Sequence, residues 1–242
     1  MNAIAVEGLR FAYPDGEPVL RGISFQVPVG RRLAVLGANG AGKSTLLLHL
    51  NGLLVPQEGR VLVHDTPVTP ETVREIRRRV GLVFQEPDDQ LFLPTLLEDV
   101  AFGPLNDDVD PAAARDAARD LLRALDLHHA ADRAAHHLSG GEKRLASLAT
   151  TLVSSPRVLV LDEPTASLDA RARQRVVRLL QQRPETLVVA THDLDVATAL
   201  CTHALVLAQG AVAAYAPLHE VLDDQLLLRK HGLALPLPPP RP

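Results

Sequence analysis

The stretch GANGAGKST, Gly37 to Thr45, constrains this chain more than any other nine residues. It follows the apolar run RRLAVL and opens a segment, Ser44 to Leu54, whose apolar residues recur at helical spacing. A glycine-rich turn between a strand and a helix gathers backbone N–H groups around an anion at the positive end of that helix. The pattern G-x-x-x-x-G-K-S/T is therefore a phosphate-binding loop, with Lys43 reaching the β and γ phosphates and the Ser44 hydroxyl ligating Mg²⁺. Composition sharpens the reading. Lysine occurs only at positions 43, 143 and 230, and arginine supplies the remaining basic residues. A chain that otherwise avoids lysine places one where a compact point charge is needed.

The order of elements agrees. Residues 3 to 13 alternate as a strand does, and VLRGISFQVPVGRRLAVLG continues in short β-like runs, so the start is β-rich. RRRVGLVFQ reads as a strand followed by a Pro and Asp loop, and Asp110-Pro111 offers an N-cap and first-turn proline for helices filling roughly 110 to 153. From RVLVLDEP onward strands and helices alternate, which implies a parallel sheet with helices on its faces. With 242 residues, 46% apolar content and a net charge of −4, the chain suits one compact domain and not a basic nucleic-acid binder. The lone Cys201 excludes an intramolecular disulfide framework, suits a reducing cytosol and reads as a small apolar filler on a helix. No charged-then-apolar leader opens the sequence and no apolar run reaches membrane-spanning length, so a membrane role is expected to pass through a partner. The tail LPLPPPRP reads as extended or disordered.

Further chemistry follows the loop. VLVLDEP ends an apolar strand in two carboxylates: Asp162 suits the metal of a phosphate site, and Glu163, pointing differently, suits polarising a water. His192 and Gln85 each end a strand run, the edge at which open α/β sheets bind ligands. In LSGGE, Ser139 and Glu142 have the spacing of a capping box. Gly140 and Gly141 each cost a helix about 1 kcal/mol relative to alanine, so bare backbone has a use there. The pairs His128-His129 and His136-His137 read as solvated surface histidines, and no protein metal site is assigned to them.

Taken in order, GANGAGKST, Gln85, LSGGE, VLVLDEP, SLD at 167 to 169 and His192 resemble the ATPase subunit of ATP-binding cassette transporters, over nearly the whole chain. The resemblance implies an α/β fold: a P-loop NTPase core with a parallel sheet, an N-terminal antiparallel β subdomain (about 1–30 and 52–66) and an inserted α-helical subdomain (about 86–153), in one domain over 1–232 with a proline-rich tail over 233–242. It implies ATP and Mg²⁺ as cofactors. Tyr13 would stack on adenine, while Gly37, Asn39, Gly40, Ala41, Gly42, Lys43, Ser44 and Thr45 would hold the phosphates. Ser44, Gln85 and Asp162 would serve Mg²⁺, and Glu163, His192 and Lys43 would be catalytic. Ser139, Gly140 and Gly141 would meet the γ-phosphate on a second cassette, with Asp169 crossing the same dimer. Ser167 stands where the family's usual glycine precedes LD.

A narrower likeness lies in FQEPDDQLFLPTLLEDVAFGPLN, residues 84 to 106, which is similar to energy-coupling-factor ATPases, although Glu86 replaces their usual asparagine. HDLDVATALC resembles the cobalt and nickel branch of that group. These likenesses imply a homodimer or heterodimer of cassettes on the cytoplasmic face of the cell membrane. They also imply an integral membrane coupling subunit, a substrate-binding membrane subunit and no nucleic acid. A vitamin or other small-solute importer stays open, as do a soluble ATPase of the superfamily and a scaffold that binds nucleotide without hydrolysis.

Overall fold

The computed structural model describes residues 1–14 and 16–233. The expected proline-rich tail therefore lies, beyond Leu233, outside the described residues. In chain order the elements begin with β1 (Asn2–Ala12), β2 (Pro18–Pro28), β3 (Arg32–Leu36), α1 (Lys43–Asn51), β4 (Glu58–Val63), β5 (Thr66–Pro67), α2 (Val73–Arg79) and β6 (Val80–Val83). They continue with α3 (Leu96–Asn106), α4 (Pro111–Ala124), α5 (Gly140–Leu152), β7 (Val158–Asp162), α6 (Ala170–Gln181), β8 (Thr186–Ala190) and α7 (Leu194–Leu200). The last four are β9 (His203–Ala208), β10 (Ala211–Pro217), α8 (Leu218–Asp223) and α9 (Gln225–Lys230).

Two sheets result. An antiparallel sheet runs β2-β1-β4-β5, and a six-stranded sheet runs β10-β9-β3-β8-β7-β6, parallel except for the antiparallel β9–β10 pair. Side-chain alternation divides the core between them. Leu33 and Val35 of β3, Val158 and Val160 of β7, and Val188 of β8 pack with α1 and the inner face of the antiparallel sheet. Their neighbours Ala34, Leu36, Leu159, Leu161, Leu187 and Val189 pack on the opposite face against α3, α4, α5 and α6. Buried on both faces, these strands read as continuous apolar runs.

Strand register then places the chemistry. Val35 pairs with Ala190, Asp162 with Ala190 and Val83 with Leu161, so β3, β6, β7 and β8 end at one edge. The residues that follow, from Gly37, Phe84, Glu163 and Thr191 onward, leave the sheet together.

Several elements differ from expectation. The helical region is interrupted: α4 ends at the left-handed Asp126 (φ 56°), and two 3₁₀ turns, His128–Ala130 and Ala135–His137, precede α5. The stretch taken as a loop after Gln85 contains α3, started by a full Thr95–Glu98 capping box. Helix α1 stops at Asn51 because Gly52 turns left-handed, three residues short of the expected Leu54. Cys201 lies just past α7 in extended backbone and not on the helix; it is buried, and burial pushes its thiol up to about 12, which leaves it an inert filler.

Candidate active site

Gly42 begins the site. As N-cap of α1 it holds φ 100°, a left-handed conformation that a side chain disfavours. The loop it closes borders a cleft of about 520 Å³ lined by Asn39, Gly40, Gly42, Lys43, Ser44 and Thr45, with Gln85, Asp162, Glu163 and His192 facing them. Ala41 is buried behind the loop, and Gly37 sits so close to the Leu207 carbonyl that a Cβ would lie 2.5 Å from its oxygen. Lys43 Nζ donates to the carbonyls of Gly37 (2.8 Å) and Ala38 (3.1 Å). Burial lowers its pKa, with Glu163 and Asp162 opposing the change. An ammonium held only by neutral carbonyls is well suited to receive a phosphate.

The acidic side is equally confined. Burial raises the pKa of Asp162, the Ser44 hydroxyl bonded to it lowers it, and Glu163 raises it further. A buried carboxylate of this kind, joined to a hydroxyl, offers the hard oxygen donors that Mg²⁺ prefers. Glu163 is also buried, and its φ of 43° is rare for a side chain with a Cβ. The strain is of the order of 1–3 kcal/mol and accompanies a specific orientation. Oε1 accepts from the His192 backbone N–H (3.0 Å) and lies 2.7 Å from His192 Nδ1, and Oε2 accepts from the Thr191 hydroxyl (3.0 Å). With Oε1 as acceptor, this contact fits the tautomer in which Nδ1 is the donor and Nε2 is left free to accept.

Tyr13 is 42% exposed, stacks edge-on against Phe11 at 5.0 Å, and its hydroxyl lies 3.3 Å from Thr45 Oγ1. It thus joins the cleft through Thr45.

The remaining expected residues do not line the cleft. Ser139 and Gly140 are exposed, and Ser139 caps α5 in a complete capping box with Glu142. Gly140 has open space where a side chain would stand, whereas a Cβ on Gly141 would lie 2.9 Å from that of Ala172. Asp169 caps α6 by accepting from Ala172 N–H at 2.8 Å. The structure therefore brings Ser139, Gly140, Gly141 and Asp169 to one corner, formed by two helix N-termini.

Sequence reading missed several contributors. Thr191, adjacent to His192, fixes one oxygen of Glu163; its position beside a strand-end histidine was the available signal. His129 Nε2 lies 3.0 Å from Glu142 Oε1, so one of the presumed solvated histidines braces the corner. Glu142 is drawn down to about 2, first by the Ser139 hydroxyl, then by the Ser139 backbone N–H and by His129. Arg144 and Gln90, which bind the Gln85 loop to α5, carry no sequence signature.

Residues 20–166 match the family described as "ABC transporter". The chain is 43% identical to the energy-coupling factor transporter ATP-binding protein EcfA of Carboxydothermus hydrogenoformans, over 97% of this chain and 88% of that one. Its fold is similar to that of CbiO1 from Clostridium perfringens, part of the ABC transporter complex CbiONQ, with a TM-score of 0.80 and 35% identity over 97% and 96% of the two chains. It is also similar, at a TM-score of 0.81 and 27% identity over 89% and 98%, to the ATP-binding cassette MJ0796, seen as a dimer in a post-hydrolysis state bound to ADP and Pi.

Proposed function

Because this chain belongs to the ABC transporter family and is an ATPase of that family, we propose that it works as one of two cassettes that drive a membrane importer of the energy-coupling-factor type. The observation that carries the reading is the division of the site. One set of residues forms a cleft able to hold a triphosphate, and the other forms an exposed corner at the N-termini of α5 and α6, away from the residues that line that cleft. Two copies, or this chain and a second cassette, place each corner over the other's cleft.

In the cleft, Lys43 and the N–H groups of residues 39 to 45 hold the phosphates, and Tyr13 takes the adenine. Ser44, Asp162 and Gln85 would hold Mg²⁺, which would supply positive charge to offset that of the phosphates. Glu163 takes the proton of the attacking water, His192 Nε2 steadies water and γ-phosphate, and Lys43 neutralises charge that develops on the transferred group. Across the seam, Ser139 and the N–H groups of Gly140 and Gly141 meet the γ-phosphate, with Asp169 beside them.

No helix among the described residues is long and apolar enough to cross a membrane. The chain sits at the cytoplasmic face of the membrane and passes its motion to a membrane coupling subunit. A groove of about 590 Å³ supports this role: it is bordered by Arg74, Arg78, Phe84, Phe92 and Phe102, and Phe92 and Phe102 are 63% and 46% exposed with rings 5.4 Å apart. Cobalt or nickel is the cargo the sequence likeness favours, handled by a separate substrate-binding subunit.

The test uses Glu163→Gln, which should bind ATP, pair in its presence and turn over at least about 100-fold more slowly. Adding Ser139→Arg should abolish pairing while each chain still binds ATP. Pairing that survives Ser139→Arg would sink the shared-site reading.

A further inference from the structure

The Gln85 loop is fastened to α5 by a side chain with an unusual setting. Arg144 is 3% exposed and makes no ion pair among the described residues. Its guanidinium instead donates to two consecutive backbone carbonyls, Phe84 O (2.9 Å) and Gln85 O (2.6 Å), while Nε has no partner. Leaving a buried cation with only neutral acceptors is costly, and its fork geometry suits two adjacent oxygens. Glu86, Asp162 and Glu163 act on it through space and partly offset the burial.

Other contacts fasten the same loop to the same helix. Gln90 Nε2 lies within hydrogen-bond distance of Ser147 O, Thr150 Oγ1 and Thr151 Oγ1, which share its two hydrogens, its Oε1 accepts from Phe84 N–H and from the Ser147 hydroxyl, and Lys143 Nζ donates to Asp88 Oδ1 at 2.7 Å. Five residues before Arg144, the same helix ends in the Ser139 corner. Helix α5 is thus bonded to the loop of Gln85, which lines this chain's own cleft, and bears at its N-terminus the corner proposed to serve the other cleft.

We propose that Arg144 is a positioning residue that couples the two nucleotide sites of a cassette pair: its grip on the Phe84 and Gln85 carbonyls makes a shift of Gln85 in one cleft move the same chain's Ser139 corner over the other. The inference rests on the shared-site reading above. Through it, occupancy of one cleft alters closure over the second, and the pair hydrolyses ATP cooperatively.

In the assembly that hydrolyses ATP, the wild-type chain should show a Hill coefficient above one, bounded by about two for two sites. Arg144→Lys keeps the charge but cannot span both carbonyls, and should bring the coefficient to about one. ATP binding by the separate chain should change less than about twofold. The effect of Arg144→Lys should also vanish in a Gln85→Ala background, since the two act in series.

A second measurement does not depend on the folding of an Arg144 variant. ATP added to the unpaired Ser139→Arg chain should alter amide hydrogen exchange over residues 139 to 146. A wild-type coefficient of one, a coefficient unchanged by Arg144→Lys, or unaltered exchange at those amides overturns the coupling. If Ser139→Arg instead leaves turnover intact, the shared-site reading fails, whatever Arg144 does; a dead Ser139→Arg with an unchanged Arg144→Lys coefficient removes the coupling alone.

Discussion

The cleft and the corner use the same physical device, a helix N-terminus with glycine at or beside its cap, and treat it in opposite ways. At the cleft, the N-terminus of α1 is buried among charges, and Asp162 and Glu163 act on both Lys43 and Arg144. Glu163 accepts a strained backbone and has both oxygens engaged. At the corner, the N-terminus of α5 is exposed, unstrained and capped by its own Ser139 and Glu142. A site that holds a charged ligand by itself needs low-dielectric walls and opposing charges. A surface that meets the ligand only after pairing must be stable and soluble without it, and a capping box provides that. The difference teaches which part binds first.

The largest effect tests the cleft. Lys43→Ala removes the ammonium from the two loop carbonyls and from the phosphates, so ATP affinity of the separate chain and turnover should both fall by at least about 100-fold. Calorimetric titration of ATP checks it. Retained affinity would mean that the corner, and not the cleft, provides the main attachment.

A smaller effect separates the regions. A Cβ at position 141 would stand 2.9 Å from that of Ala172, so Gly141→Val forces α5 and α6 apart at the corner without touching the cleft. Turnover should drop about tenfold or more while the separate chain binds ATP within about twofold of wild type. Equal losses in both measurements would show that the regions are not independent in the unpaired chain.

How far these regions were legible follows from where their chemistry sits in the sequence. The lining of the cleft was readable because a phosphate-loop pattern ties residue type to spacing: glycines, one of them left-handed at the start of α1, then a lysine and a hydroxyl, all within nine positions. Capping at Ser139 was readable for the same local reason, and β3, β7 and β8 because burial on both faces leaves only apolar residues. Helix α3 was not, since Gly103 and Pro104 lie inside it and mimic a loop. Helix α2 buries only Ile76 among its arginines, and β10 is mostly alanine, so neither shows a clear period. Arg144, Gln90 and His129 were invisible because most of their partners lie 13 to 61 positions away, which leaves no local pattern.

The smallest effect concerns how the corner keeps its shape alone. Glu142 is drawn from 4.5 to about 2 by Ser139 and His129. A carboxyl with a depressed folded-state pKa stabilises the fold above its unfolded value, so this contribution is complete above about pH 4.5 and is lost as pH falls towards about 2. Its side chain is 29% exposed, and solvent screening reduces the worth of the contact to about 1 kcal/mol. Urea unfolding of wild type and Glu142→Gln should therefore differ by about 1 kcal/mol at pH 6 and converge only as the pH falls to about 2, where Glu142 is protonated in the unfolded chain and about half protonated in the folded one. A difference that stays constant over that range would place the stability of the corner in hydrogen-bond geometry and not in charge.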